Sequence, residues 1–385
     1  MSDALELPTA DELRRRGSAK WTAFPGAIGA FVAEMDFGVA PPVADALHRA
    51  VSDGLTGYLS TRMRTDLVEA TAAWSADRYG WRVLPEQIRP VADVLSALDL
   101  FLTRYTDPSR AVVVPTPAYM PFLRIPQAVG RPIVEVPSPE VDGRYELDLD
   151  GIAAAFEAGA DALVLCNPWN PVGRVLTREE LLAVAEVVDR HGARVFADEI
   201  HAPLVLGGHR HVPYASISET AAAHTVTAVS ASKAFNLPGL KCAQLVFSTD
   251  ADAARYDEVA GYSASGAGTL GVLANTVAYT EGGPWLAEAL DYLDASSARV
   301  GELIAERLPA VRYRRPEGTY IGWLDVRALD LGEKPATIVV ERAKVALTDG
   351  AACGDAGRGF LRLIMATPRP VLEDAVTRLG DAFAA

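Results

Sequence analysis

Cysteine is scarce. Cys166, Cys242 and Cys353 are the three in the chain, and they form neither a CxxC pair nor an even disulfide set, so a reducing cytoplasm is the expected compartment. No stretch approaches the ~20 uninterrupted apolar residues of a membrane span. The opening "MSDALELPTADELRRRG" has no hydrophobic signal segment. Positive charge is also short: 36 Lys and Arg face 50 Asp and Glu, a formal net charge of −14. A nucleic-acid backbone or an anionic membrane needs a basic face, and neither is an expected partner. Internal repeats, Gly/Ser linkers and low-complexity tracts are missing too.

The chain instead has 385 residues, half of them hydrophobic and 22% charged. That is enough for a large core and more than one domain. Short apolar runs at 111–115, 161–166, 193–197, 224–230 and 243–248 read as strands. Between several of them lie helical patterns such as 177–192, with Glu179 and Glu180 in the first turn and Gly192 as C-cap. Buried runs separated by helices indicate an α/β fold, a mainly parallel sheet with helices on both faces. After about residue 285 a long helix precedes strands at 320–326 and 359–365 and a last helix from about Val371. The expected division is a large domain over 46–284 and a smaller α+β domain over 285–385, with residues 1–45 packing against the latter.

In open α/β sheets, ligands sit beyond the carboxyl ends of the strands. Tyr119 follows the first of these runs, Asn167 and Asn170 the second, Asp198, Glu199 and His201 the third, and Ser230, Ser232 and Lys233 the fourth. Singly each has a plainer reading, Tyr119 as core, Asn170 as turn former, Asp198 as helix cap, Lys233 as a solvated turn. Together at consecutive strand ends they point to one chemistry. Lys233 is the only formal charge between Val229 and Leu240, and a desolvated lysine favours its neutral form and can form an imine with an aldehyde. A carboxylate such as Asp198 can keep a pyridine nitrogen protonated, so that the ring accepts an electron pair. Tyr119 can stack on the ring, and Asn170 or His201 can hydrogen-bond a phenolic oxygen. A helix beginning behind Ala92-Asp93, at Val94, supplies N–H donors for a phosphate, completed by Ser230, Ser232 and Lys241. The expected cofactor is pyridoxal 5'-phosphate.

The chain resembles fold-type I, class I/II aminotransferase-like enzymes, most closely the MalY/PatB branch of cystathionine β-lyases. The resemblance runs through "FVAEMDFGVAPPV" (31–43), "TGYL" (56–59), "PTPAYMPF" (115–122), "NPWNPVGRV" (167–175), "ADEIHAPLVLGGHRHVPYAS" (197–216), "SASKAFNLPGLKCAQ" (230–244), "AYTEGGPWL" (278–286), "GTYIGWLDVR" (318–327) and "GFLRLIMATPR" (359–369). It implies that Lys233 is the Schiff-base lysine, Asp198 the pyridine-nitrogen partner, Tyr119 the stacking ring and Asn170 the partner of the phenolic oxygen. It further implies that Tyr58 reaches the phosphate from a second subunit in a homodimer with shared sites. Arg362 would clamp the substrate carboxylate, with Asp36 and Asn170 also at the substrate.

There are departures from the family pattern. Asp93-Val94 stands where Gly-Val is frequent, Phe31 replaces a usual tryptophan and Trp169 a usual histidine; the expectation is that these fall around the substrate pocket. DEIH in place of DEx-Tyr, and Lys241 in place of an arginine, favour a carbon–sulfur lyase, with an aminotransferase as the alternative. "GAGTLG" (266–271) matches GxGxxG without a buried strand before it, and reads as a flexible active-site loop. His209 and His211 read as a surface turn, not a metal site.

Overall fold

The computed structural model describes residue 5 and residues 7–259 and 266–383. At its centre is a seven-stranded sheet of β1 (Ile88–Val91), β2 (Val112–Thr116), β3 (Ile133–Pro137), β4 (Ala162–Cys166), β5 (Arg194–Asp198), β6 (Thr225–Val229) and β7 (Ala243–Phe247), in the spatial order β1-β7-β6-β5-β4-β2-β3. The β3–β2–β4–β5–β6 pairs are parallel. β2, β4 and β7 are buried along their whole length, as apolar strands covered on both faces must be.

Two features depart from the sequence reading. β1 and β3 were not expected, and both are edge strands carrying a proline, Pro90 and Pro137; proline is tolerated there because no ladder N–H is needed on the open side. β7 runs antiparallel to both of its neighbours. Residues 230–242, which join β6 to β7, contain only the short turn Pro238–Leu240 and no covering helix. A parallel crossover normally needs such a helix, so the chain doubles straight back. That return is the loop carrying Lys233.

Helix α1 (Val94–Arg104) follows β1, buries Val94, Ala97, Leu98, Phe101 and Leu102, and is capped by the side chain of Asp93. α2 (Arg178–Arg190) starts in a Thr177/Glu180 capping box; its C-cap is His191, and Gly192 follows with φ +60°. α3 (Thr269–Glu281) begins inside the "GAGTLG" run. The expectation of a loop fails from Thr269 onward, and residues 261–265 before the run lie outside the described residues. A Cβ at Gly271 would stand 2.2 Å from the Leu240 carbonyl oxygen, and Gly268 N–H donates to the Lys241 carbonyl (2.8 Å). These glycines let α3 abut the 240–241 turn. They are a packing device and cradle no dinucleotide.

α4 (Gly283–Arg307) leads to a second, antiparallel sheet of β8 (Arg312–Tyr313), β9 (Ile321–Asp325), β10 (Thr348–Asp349) and β11 (Phe360–Ile364), ordered β8-β9-β11-β10. α5 (Arg369–Phe383) closes the described chain. The N-terminal segment spans both halves. Leu13, Trp21 and Ile28 pack with Leu303, Leu361 and Leu372, and Ile28–Gly29 pairs in parallel with Val345–Ala346. Met35, Phe37 and Val43 instead pack with Phe235 and Trp285.

Asp36 belongs to this junction. Its carboxylate accepts from Lys20 Nζ and from Trp21 Nε1, each at 2.8 Å, and Lys20 also donates to the Glu34 carbonyl (3.2 Å). Lys20 is fully buried, and a buried lysine persists only when its charge is paired and hydrogen-bonded. Both oxygens of Asp36 are therefore committed to holding the N-terminal segment down. The expected substrate contact at Asp36 is corrected to a structural ion pair.

Candidate active site

The carboxyl ends of β4, β5 and β6, the start of α1 and the 230–242 loop enclose a cavity of about 160 Å³. Tyr119, Asn170, Asp198, His201, Ser230, Ser232, Lys233, Lys241, Asp93 and Val94 all line it. These strand-end residues are thus brought together, while Asn167 and Glu199 turn away: Asn167 Oδ1 accepts from Leu176 N–H (3.0 Å) and Glu199 lies against His211 and Tyr214. Arg362 joins them from β11, its Nη1 donating to Asn170 Oδ1 (3.2 Å). Asp36 is absent from the lining, and Tyr58 is fully exposed on the chain surface.

Lys233 Nζ donates to the carbonyl oxygen of Ala33 (2.8 Å). Burial, then the nearby Arg362 guanidinium, brings its ammonium down to about 8, so the neutral amine is far more populated near physiological pH than in an ordinary lysine. Asp198 lies at the end of β5 with Oδ1 accepting from Ile200 N–H (3.1 Å). Burial raises its carboxyl to about 7; a buried carboxylate with one backbone donor lacks the solvation that keeps it ionised. His201 is pushed down to about 3 by burial and by the charges of Lys233 and Arg362, and is neutral. Among the described residues its buried Nδ1 has no hydrogen-bond partner, and neither has Arg362 Nε. Burial also lowers the Arg362 guanidinium from its ordinary value, while Nη2 donates to the Phe31 carbonyl (2.9 Å).

At the far end of the cavity lies the start of α1. By helix geometry the N–H groups of Val94 and Leu95 have no intrahelical acceptor, and both residues line the cavity. Asp93 Oδ1 accepts from Ser96 N–H, and its Oδ2 from Lys241 Nζ, both at 2.8 Å. Ser230 Oγ donates to the Cys242 carbonyl (2.7 Å) and accepts from Ser232 N–H (3.0 Å), which pins the loop on either side of Lys233.

Some expectations need correction. Trp169 is in the core beside Tyr145, its Nε1 donating to the Pro117 carbonyl (2.9 Å), and does not line the cavity. Phe31 contributes its carbonyl to Arg362, while its ring meets Phe24 edge-on. His211 is buried, with Nε2 3.0 Å from Glu199 Oε2, so it is no surface turn; its partner lies too far along the chain for the flanking "GGHRHVPY" to reveal it. Among the described residues no cluster of metal-ligating side chains occurs. The sequence reading also missed Ala33 and Tyr320. The Ala33 carbonyl accepts from both Lys233 and the Tyr320 hydroxyl (2.9 Å). A backbone acceptor leaves no side-chain signature, although Tyr320 beside the strand that faces Arg362 was a findable aromatic.

The profile of the family "Aminotransferase class I and II" matches residues 31–379. The chain belongs to this family. It is 37% identical to the cystathionine beta-lyase of Corynebacterium glutamicum, over 98% of this chain and 100% of that one. It is 33% identical to the cystathionine beta-lyase PatB of Bacillus subtilis, over 93% and 92%. The crystal structure of cystalysin from Treponema denticola, which contains a pyridoxal 5'-phosphate cofactor, superposes with a TM-score of 0.93 at 27% identity, covering 100% of this chain and 99% of that one. The MalY/PatB resemblance and the fold-type I architecture hold. No described helix is long and apolar enough to cross a membrane.

The raised Asp198 carboxyl makes a stability prediction for the cofactor-free protein. A carboxyl lifted to about 7 when folded, against an ordinary ~3.9, stabilises fully below the unfolded value and loses that contribution as pH rises through 7. Asp198→Asn keeps an oxygen for Ile200 N–H and removes the buried charge. It should stabilise the cofactor-free protein by about 2–4 kcal/mol at pH 8 and progressively less toward pH 5. Urea melts at the two pH values read this; equal effects at both would refute a raised carboxyl.

Proposed function

We propose that this protein is a pyridoxal 5'-phosphate-dependent C–S β-lyase that releases a thiol, pyruvate and ammonia from a cysteine thioether such as L-cystathionine. The observation that carries the reading is Lys233 buried in one cavity with Asp198, its ammonium lowered well below the ordinary lysine value. The relatives' activity supports it. The residues present fit the cofactor. Asp198 is a buried carboxyl whose ionised form a neighbouring cation would restore, His201 lines the same cavity with an Nδ1 that, among the described residues, has no hydrogen-bond partner, and α1 offers free N–H groups.

When bound, the cofactor supplies an aldehyde for imine formation and a pyridinium ring that accepts the electron pair released at the substrate Cα. Lys233 would be the residue that holds the cofactor's aldehyde carbon, and its amine, once free, would be placed to take the substrate's Cα proton. Asp198 keeps the ring nitrogen protonated. Tyr119 covers the ring face and Asn170 holds the phenolic oxygen, while the N–H groups of Val94 and Leu95, with Ser232 and Lys241, hold the phosphate. Arg362 receives the substrate carboxylate as a bidentate pair in place of the Phe31 carbonyl. The Cβ–S bond then breaks with its electron pair leaving on sulfur, and a proton goes to the departing thiolate. The remaining three-carbon enamine tautomerises to an imine, which water hydrolyses to pyruvate and ammonia.

The large unit over 46–284 carries the cofactor, and the smaller one over 285–385 brings Arg362. The protein acts in the cytoplasm as a homodimer, with Tyr58 of the partner subunit at the phosphate; full exposure of Tyr58 in the single chain supports this.

The same proton abstraction serves transamination, so the two readings separate on turnover. L-cystathionine should give pyruvate over many turnovers with no keto acid added, and alanine with a keto acid should react at least tenfold more slowly. Conversion strictly dependent on an added keto acid would make the protein an aminotransferase. A shared site has its own test. Mixing inactive Tyr58→Ala with inactive Lys233→Ala should restore activity, because hybrid dimers contain one site with both native residues. Verified heterodimers that stay inactive would exclude the shared site.

A further inference from the structure

Asp93 occupies a position where a negative charge opposes the ligand just assigned. It ends the extended stretch before α1, with φ −164° and ψ 173°. One carboxylate oxygen caps Ser96 N–H and Ser96 Oγ, each at 2.8 Å. The other receives Lys241 Nζ at 2.8 Å. Burial alone would raise this carboxyl, and the bonds from Lys241 and Ser96 more than offset it, so it sits below its ordinary value and is charged at neutral pH.

Lys241 cannot be re-aimed from its root. Its backbone is left-handed, with φ +54°, a conformation that a non-glycine residue keeps only when its surroundings enforce it. Those surroundings are on both sides: Gly268 N–H binds its carbonyl, and the next carbonyl, of Cys242, takes the Ser230 hydroxyl. The ammonium, with three N–H donors, must therefore be shared between Asp93 and a phosphate, by swinging its side chain or by bridging the two. The charge balance shows what that costs. Of the cavity's lining residues, Lys233 and Lys241 are the cationic pair, and Asp93 and Asp198 the anionic one. Arg362 adds a guanidinium beside Asn170, and a phosphate monoester brings about −1.5 to −2 at pH 7, so the Asp93 charge is set against the incoming anion while it draws on the Lys241 cation.

We propose that Asp93 is a built-in competitor for the cofactor's phosphate: it ties up Lys241 and sets a like charge at the mouth of α1, so that the protein holds its cofactor more loosely than the same cavity would without that charge. The inference rests on the pyridoxal 5'-phosphate reading above. It makes the loaded fraction of the enzyme respond to cofactor supply, a regulation set by a side chain instead of by a separate effector site. The pair is partly exposed, so solvent screens it and the effect is moderate.

The test uses Asp93→Asn and Asp93→Ser, both of which retain an oxygen able to cap α1 and lack the charge. Dissociation constants for pyridoxal 5'-phosphate are measured from the absorbance of the lysine-bound cofactor at low salt and at 1 M salt, with pyridoxal, which lacks the phosphate, as the second probe. Both variants should bind pyridoxal 5'-phosphate about tenfold more tightly than the native protein at low salt, with most of the gain lost at high salt. Pyridoxal should change less than about twofold, since it brings no phosphate charge to the site. Unchanged or weaker binding of pyridoxal 5'-phosphate by both variants overturns the proposal, as does an equal gain for pyridoxal. A native protein that shows no lysine-bound absorbance at all would instead sink the proposed function, so the two failures are distinguishable.

Discussion

Asp198 and Lys233 are charged groups taken out of water at the ends of adjacent strands, and the rest of the molecule makes that burial possible. Desolvation is the largest cause moving both toward neutrality, the carboxyl up to about 7 and the ammonium, with help from Arg362, down to about 8. Neither shift would survive at a flexible, wet loop. The parallel register fixes Asp198 opposite Cys166 on one side and Ala228 on the other. The 230–242 loop then holds Lys233 between the Ser230–Ser232 turn and the antiparallel return into β7. A rigid sheet edge thus maintains a polar cavity that an unliganded chain would rather neutralise or hydrate.

The second constraint is that the cavity is closed from the other half of the molecule. Arg362 on β11 and Tyr320 before β9 reach the same N-terminal stretch as Lys233, through the carbonyls of Phe31 and Ala33. That stretch is anchored behind by the Lys20–Asp36 pair. Three groups that a substrate would engage or displace are therefore tied to backbone oxygens of one short segment. The carbonyls of Phe31 and Ala33 thus hold the side chains of Arg362, Tyr320 and Lys233 in one hydrogen-bonded arrangement.

Much of this was legible in the sequence for a definite reason. Strand-end residues follow apolar runs, so Tyr119, Asn170, Asp198 and Lys233 could be placed on one rim before any coordinates. What failed were features whose partners are distant or carry no side-chain mark. Asp36 looked like a functional carboxylate until Lys20 was seen beneath it. His211 looked solvated until Glu199 was seen against it. Trp169 follows a strand that feeds the site, yet its ring turns into the core. The edge strands β1 and β3 escaped because proline and partial exposure break the apolar pattern. Asp93 lines the same cavity at the start of α1, and only its bonds to Ser96 and Lys241 show what its carboxylate does there.

The chain has only five lysines, at 20, 233, 241, 334 and 344, which makes the central claim unusually easy to test. The native protein loaded with pyridoxal 5'-phosphate is reduced with borohydride, digested and mapped by mass spectrometry. The account predicts one stoichiometric pyridoxyl adduct, on Lys233. Labelling of Lys241 or of any other lysine in its place, or a protein that takes up no label, would contradict it.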